Sequence, residues 1–124
     1  MIEQLEDYEK ILLLMENNQG RLFLVFGSEY EINEEGYLLH LQPLKPEYVR
    51  YKPPMSILID RGLVRITTSK GGGKPEVQVY ELEPNGKSQA RYLWEKIPPE
   101  EHQTIVGNIE KELYSIFRWI GTAP

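Results

Sequence analysis

Two short segments in which apolar and polar residues alternate flank a glycine-rich stretch in the middle of the chain. In the first, residues 63–68, Val64 and Ile66 share one face and the residues between them are polar. The second, residues 76–82, also alternates and contains β-branched residues. Between them stand three consecutive glycines, which permit the positive φ angles of a tight turn. The pattern predicts an antiparallel β-hairpin in which residues 63–68 pair with residues 76–82.

A short apolar segment that ends at Gly62 precedes this hairpin and is typical of a helix. Pro53 and Pro54 stand at its start, and proline is tolerated in the first turn of a helix but not inside it. We therefore predict a helix that begins near Pro54, spans about two turns and leads directly into the hairpin.

Helical periodicity also marks the N-terminal segment, residues 2–17. Leu5, Tyr8, Leu12 and Met15 recur at helical spacing, with further apolar residues beside them. Gly20 follows a polar stop signal and is a candidate helix cap. The segment is predicted to form an amphipathic helix whose broad apolar side packs on more than one neighbour.

The C-terminal segment, residues 99–120, carries the second strong helical pattern. Prolines and glutamates at its start favour a helix N-terminus. Its apolar stripe consists of Ile105, Ile109, Leu113, Ile116, Phe117 and Ile120. A stripe of this length either closes the core of the domain or pairs with a second copy of the chain.

The part of the chain between residues 21 and 54 has a less distinctive pattern. Apolar runs at residues 22–26 and 37–41 flank a polar stretch, which favours two strands of a second hairpin. The alternative is a helix that Asn33 caps and that runs through Leu41. Four prolines, at positions 43, 46, 53 and 54, then predict an extended loop.

The segment that includes the hairpin and the residues after it resembles the wing of PadR-like and MarR-like winged helix-turn-helix regulators. In those proteins the wing ends in a Tyr-x-Leu-Thr-x-x-Gly pattern that opens a helix, with a leucine about seven residues on. Tyr80, Leu82, Gly86 and Leu93 match this pattern, whereas Glu83 stands where the family has threonine.

Residues 57–64 also resemble the end of the recognition helix in that family. The resemblance, which is confined to the wing region, implies an α+β winged helix-turn-helix fold with amphipathic helices at both ends. We expect one domain over residues 1–124. The resemblance further implies a DNA-binding transcriptional regulator that forms a homodimer through its terminal helices, with Ile109, Leu113 and Phe117 in the interface.

The distribution of charge supports a nucleic-acid partner. The net charge is −5, but residues 45–74 hold seven basic and two acidic residues, a local charge of +5 on an otherwise acidic chain. This stretch coincides with the predicted short helix and hairpin. The residues that we predict to contact double-stranded DNA are Arg50, Lys52, Ser56, Arg61, Arg65, Lys70 and Lys74.

Two alternatives stay open for the same segment. The lysines beside the glycines also fit a plain solvated hairpin, and a winged helix also fits a protein–protein assembly module that binds no nucleic acid. Tyr48 and Tyr51 interleave with basic residues, an arrangement that either stacks on bases or covers the edge of a core.

The sequence has no pattern typical of an enzyme. It contains no cysteine, and His40 and His102 are isolated from each other. The glycine-rich turn lacks the GKS/T sequence of a P-loop. We therefore expect no catalytic, metal or cofactor site. The acidic N-terminus and the short apolar runs predict neither a signal peptide nor a membrane span, which favours a cytoplasmic location.

Overall fold

A computed structural model of the chain describes residues 4–26, 37–41, 49–70 and 76–117. The helices in these ranges are α1 (Asp7–Asn17), α2 (Pro53–Asp60), α3 (Pro84–Glu95) and α4 (His102–Phe117), with a 3₁₀ turn at Pro99–Glu101. The strands are β1 (Arg21–Phe26), β2 (Tyr37–Leu41), β3 (Val64–Lys70) and β4 (Glu76–Leu82). The fold is therefore of the α+β class.

The four strands form one mixed sheet in the order β2-β1-β4-β3. The predicted hairpin is confirmed, because β3 pairs antiparallel with β4 over the expected residues. The pairing shifts between Ile66 and Thr68, and Thr67 at this irregularity donates its hydroxyl to the Val79 carbonyl at 3.2 Å. The predicted faces are also correct: Val64 is buried, whereas Arg65 and Thr67 are exposed.

The second predicted hairpin is wrong, although both of its strands exist. Strand β2 pairs with β1 in parallel, with Tyr37 opposite Leu22 and Leu41 opposite Phe26. The alternative helix through Leu41 is wrong as well. A run of alternating residues has the same pattern in either direction, so it predicts a strand but does not predict how that strand is paired.

Helix α1 lies at the centre of the molecule. Its residues 11–15 are all fully buried, because the helix packs on α2, α3, α4 and the sheet. It begins later than predicted, with Glu6 as the N-cap of a capping box in which Glu9 accepts the Glu6 backbone N–H at 2.9 Å. Its predicted end is correct: Gly20 has φ +80° and donates its N–H to the Met15 carbonyl.

Helix α2 has the predicted length of about two turns, with Pro53 in its first turn. Its inner face buries Pro54, Met55 and Leu58 against the core. The residues that carry the family resemblance are also core residues, since Tyr80, Leu82, Gly86 and Leu93 are all buried.

Helix α4 closes the core of its own chain. Ile109 and Leu113 are each 0% exposed within one copy. They therefore present no surface to a second copy, and the expectation that they lie in a dimer interface is corrected for these two residues. The side chain of Phe117 is outside the part of the chain that the structure describes, and the dimer itself stays a prediction.

Candidate nucleic-acid interface

The start of α2 brings three of the predicted DNA-contacting residues together. Lys52 is the N-cap residue, and its carbonyl accepts the Ser56 N–H at 2.9 Å. The Ser56 hydroxyl donates to the Arg50 carbonyl at 2.9 Å. This bond fixes the turn before the helix, so the Arg50 side chain, which is exposed, extends from an ordered backbone.

The ammonium group of Lys52 is less freely available to a phosphate than the sequence indicated. It is half-buried, and burial lowers its pKa, while the negative charge of Asp7 acts in the opposite direction. Asp7 belongs to α1, outside the basic stretch. A charge from elsewhere in the fold therefore already acts on this lysine.

The solvent side of α2 lacks the side chains that usually read DNA bases. Arginine, lysine, asparagine and glutamine are all absent from its eight residues. Ser56, Ile57 and Ile59 are partly exposed, and Asp60 is exposed. An aspartate and two isoleucines on this face favour neither base contacts nor phosphate contacts by α2 itself.

Arg61, directly after α2, is held against α1. Its guanidinium carbon lies 5.1 Å from the centre of the Tyr8 ring, and its Nη1 donates to the Tyr8 hydroxyl at 3.1 Å. Arg61 remains exposed. The contacts use one of five guanidinium N–H groups, and within the described ranges no carboxylate forms an ion pair with it.

Arg65 lies on the sheet face opposite the core, in a row of alternating charge. Glu81 on β4 is opposite both Arg65 on β3 and Arg21 on β1. Its carboxylate lies 3.3 Å from Arg65 Nη2 and 3.2 Å from Arg21 Nε. Arg65 also lies 3.4 Å from Glu83. Two carboxylates thus balance the two guanidinium groups on this face.

Of the two lysines predicted to lie on the wing, the structure describes Lys70. Lys70 is the last residue of β3, opposite Val77. It is five residues beyond Arg65, which is about 17 Å along a strand. Lys74 lies outside the described residues, so its predicted role remains untested.

The predicted residues therefore do not form one cluster. Arg50, Lys52 and Ser56 stand at the beginning of α2, and Arg61 stands at the other end, about 12 Å away along the helix. Arg65 and Lys70 follow the hairpin outwards. Residues 45–74 carry a charge of +5 in the sequence. In the folded chain Asp7, Glu81 and Glu83, which come from other segments, lie near these basic side chains and offset part of that charge.

A pocket around Arg61 was not predicted from the sequence. It has a volume of about 490 Å³ and is lined by Tyr8, Arg61, Leu63, Asn85, Ser88 and Gln89. Three helices contribute to or border it, so no local motif could have indicated it. Tyr8 had been assigned to an apolar stripe, and it is indeed half-buried as well as being the partner of Arg61.

A second pocket of about 490 Å³ lies between the N-terminal end of α1, the start of α2 and Ile116 of α4. Its apolar side chains are those of Leu5, Pro53, Pro54, Ile57 and Ile116. Glu6, Asp7 and Lys52 add charge to its lining. We call it the α1/α2 groove.

Among the described residues, no three histidine or carboxylate side chains are placed to hold a metal ion. Within the same ranges, no helix combines the length and apolar character needed to cross a membrane. Comparison of the chain with protein-family models, curated proteins and solved structures finds no match. The arguments on function therefore rest on the residues and their geometry.

Proposed function

We propose that the chain is a winged-helix domain that binds double-stranded DNA through backbone contacts made by the hairpin β3–β4 and by the exposed residues beside α2. We include in this proposal the role of a transcriptional regulator that acts as a homodimer. The observation that carries it is the hairpin β3–β4 directly after α2: Lys70 ends β3, and three glycines and Lys74 follow it in the sequence.

The order of the elements supports the winged-helix part of the proposal. Helix α1 and strands β1 and β2 precede α2, the hairpin follows it, and strand β4 of the hairpin pairs with β1. Strand β1 pairs with β4 from Arg21↔Glu81 to Phe26↔Glu76, so the hairpin is part of a larger sheet that packs on α1.

The side chains available favour contacts to phosphates over contacts to bases. Lysine and arginine bind the backbone without reading sequence, and α2 carries none of the long polar side chains that read the major groove. Any discrimination among DNA sequences would then come from groove shape and deformability.

Binding of a mixed-sequence duplex of about 25 base pairs, followed by fluorescence anisotropy over a range of salt concentrations, tests the proposal. Wild-type affinity should fall as salt rises. The double variant Lys70→Ala/Lys74→Ala should bind more weakly to all sequences, and the slope of log affinity against log salt should be flatter by about 1.8 for two lost phosphate contacts.

A matched control separates the wing from net charge. The double variant Lys87→Ala/Lys111→Ala removes the same charge from two exposed positions on α3 and α4. It should retain the wild-type slope. Equal losses in both double variants, or absence of wild-type binding at low salt, would refute a DNA-binding wing.

A second candidate function is protein–protein assembly, which the α1/α2 groove favours. We assign this groove to a second copy of the chain. Ile116 lies in it, and the seven residues after Phe117 include the apolar Trp119 and Ile120. In a homodimer these residues would supply apolar side chains to the groove of the partner.

Light scattering at micromolar concentration distinguishes this candidate. The wild type should be a dimer, and both Ile57→Asp and a chain that ends at Phe117 should be monomers. This result would support the groove as the interface. A monomer mass for the wild type would remove both this candidate and the homodimer proposed above.

A further inference from the structure

We infer that the pocket around Arg61 binds a phosphate group. The pocket is formed where α1, the turn between α2 and β3, and the beginning of α3 meet. Tyr8 comes from the first of these, Arg61 and Leu63 from the second, and Asn85, Ser88 and Gln89 from the third. Its volume of about 490 Å³ lies within the range typical of small-ligand sites.

The cation of this pocket is already positioned. Arg61 stacks over the Tyr8 ring at 5.1 Å and donates one hydrogen bond to the Tyr8 hydroxyl. A guanidinium group held by two contacts loses less conformational freedom when a ligand binds than a free surface arginine does. Its remaining N–H groups can donate two parallel bonds to one oxyanion.

The other polar groups of the pocket can also donate. The Tyr8 oxygen accepts from Arg61, so its own proton remains for another acceptor. Ser88 has a hydroxyl, and Asn85 and Gln89 each have an NH₂ group. A phosphate presents several acceptor oxygens and no strong requirement for acceptors in return, which suits this set.

The charge of the lining distinguishes this pocket from the α1/α2 groove. The six described residues of its lining include one arginine and no carboxylate. The α1/α2 groove contains Glu6 and Asp7 with Lys52 and is therefore net negative. Although the net charge of the chain is −5, the part of this lining that the structure describes has no carboxylate to repel an anion.

The phosphate has two sources. It is either a backbone phosphate of the DNA, in which case the inference rests on the proposed function, or the phosphate of a small phosphorylated molecule. With the first source, DNA would contact the pocket between α1 and α3 in addition to the wing. The second would place a small-molecule site next to a predicted DNA-contacting residue.

Titration with inorganic phosphate, monitored by ¹⁵N NMR and matched in ionic strength with chloride, tests the site. The backbone amide signals of Asn85, Ser88 and Gln89, and the side-chain amide signals of Asn85 and Gln89, should shift and saturate in the wild type. Arg61→Gln should weaken binding about tenfold or more, because a charge-assisted hydrogen bond is lost. Ser88→Ala should weaken it by a smaller factor, and Arg61→Lys should retain part of the affinity because it keeps the charge.

The control variant is Arg91→Gln. Arg91 is exposed on α3, the helix that contributes three residues to the pocket, but it lies outside the pocket. Arg91 lies 3.4 Å from Glu16 and lines no part of the site. It should leave phosphate affinity unchanged. The absence of saturable shifts, or an equal loss of affinity for Arg91→Gln and Arg61→Gln, would overturn the inference.

A duplex titration separates the two sources. Shifts of the same three residues on DNA addition, reversed by inorganic phosphate and lost in Arg61→Gln, identify the DNA backbone. Phosphate binding without such shifts on DNA addition identifies a small phosphorylated molecule. DNA binding that depends on the wing lysines, with no phosphate response at the pocket, overturns the inference and leaves the proposed function intact.

Discussion

The backbone of Gly86 in the first turn of α3 lies directly against the carbonyl group of Leu63, in the turn between α2 and β3. A Cβ atom at position 86 would overlap that carbonyl oxygen. The same oxygen accepts the N–H of Glu83, the N-cap residue of α3, at 2.9 Å. The contact docks the start of α3 on the turn that joins α2 to the hairpin. It also positions Leu63 and Asn85 in the wall of the Arg61 pocket.

Gly86→Ala should destabilise the protein by about 1–3 kcal/mol, because the added methyl group has to displace backbone atoms. Gly107→Ala on α4 is the matched control, since a Cβ placed there would meet, among the described residues outside its own helix backbone and chain neighbours, no heavy atom within 4 Å. In a helix this control should be neutral or stabilising, by up to about 1 kcal/mol. Urea unfolding measures both free energies. Equal effects at the two glycines would contradict the close contact at Gly86.

A second prediction concerns Lys10, which is only 9% exposed. Its ammonium lies 2.9 Å from Glu112 on α4 and 3.8 Å from Asp7. Glu112→Gln should destabilise by about 0.5–1.5 kcal/mol, because it leaves a largely buried cation with a weaker partner. Glu110 precedes Glu112 by two residues and therefore lies on a different side of the same helix. Glu110→Gln should change the unfolding free energy by less than about 0.5 kcal/mol.

Lys10→Met tests the reason for that loss. It removes the buried charge and keeps an apolar chain of similar length, so it should cost less than Glu112→Gln. Urea unfolding of both variants shows which of the two loses more unfolding free energy. A larger loss for Lys10→Met would indicate that the ion pair itself, rather than an uncompensated charge, determines the effect.

A third prediction concerns pH and rests on Tyr80, which is fully buried on β4. Burial raises the pKa of its hydroxyl, while the positive charge of Arg50 acts in the opposite direction. Above about pH 10 the unfolded chain loses this proton and the folded chain keeps it. The unfolded state then binds fewer protons, so stability should fall as pH rises beyond that value. Unfolding measured between pH 8 and 11 tests this direction.

Tyr80→Phe separates this tyrosine from the others. The hydroxyl donates to Gln78 Oε1 at 2.5 Å, and Gln78 is only 7% exposed. Its removal should cost about 1–3 kcal/mol near neutral pH, because a buried acceptor loses its donor. The variant should also lose stability less steeply at alkaline pH than the wild type does. An unchanged alkaline slope would exclude Tyr80 as its source.

Sequence patterns predicted the features that depend on neighbouring residues. The β3–β4 pairing follows from two alternating runs around three glycines, and the short α2 follows from Pro53 and Gly62 at its ends. The parallel pairing of β1 with β2 did not follow, because alternation does not encode strand direction. The stripe on α4 was recognised, but the sequence could not decide whether α1 or a second copy covers Ile109 and Leu113.

The same limit applies to the candidate interface. The basic residues of the stretch were visible in sequence, but their partners are distant from it: Asp7 and Tyr8 come from α1, and Glu81 comes from β4. Charge counted along a segment therefore overestimated the positive field. Only the pairing register of the sheet places Glu81 between two arginines.

The last prediction uses that register. Glu81→Gln removes the carboxylate between Arg21 and Arg65 and leaves a neutral side chain of nearly the same shape. Arg65 is 59% exposed at its side chain, so it becomes more available to a phosphate without a change in the fold. If this face of the sheet meets DNA, affinity for the mixed duplex should rise, and the salt slope should steepen by about 0.9 for one additional phosphate contact.

Glu110→Gln on α4 makes the same change in net charge at a distance from the sheet and should leave the slope unchanged. Fluorescence anisotropy of both variants at several salt concentrations distinguishes a phosphate contact by Arg65 from a general effect of net charge. Equal increases would assign the effect to net charge. No increase for Glu81→Gln would remove Arg65 from the DNA-contacting surface and leave the wing tip and the exposed residues beside α2.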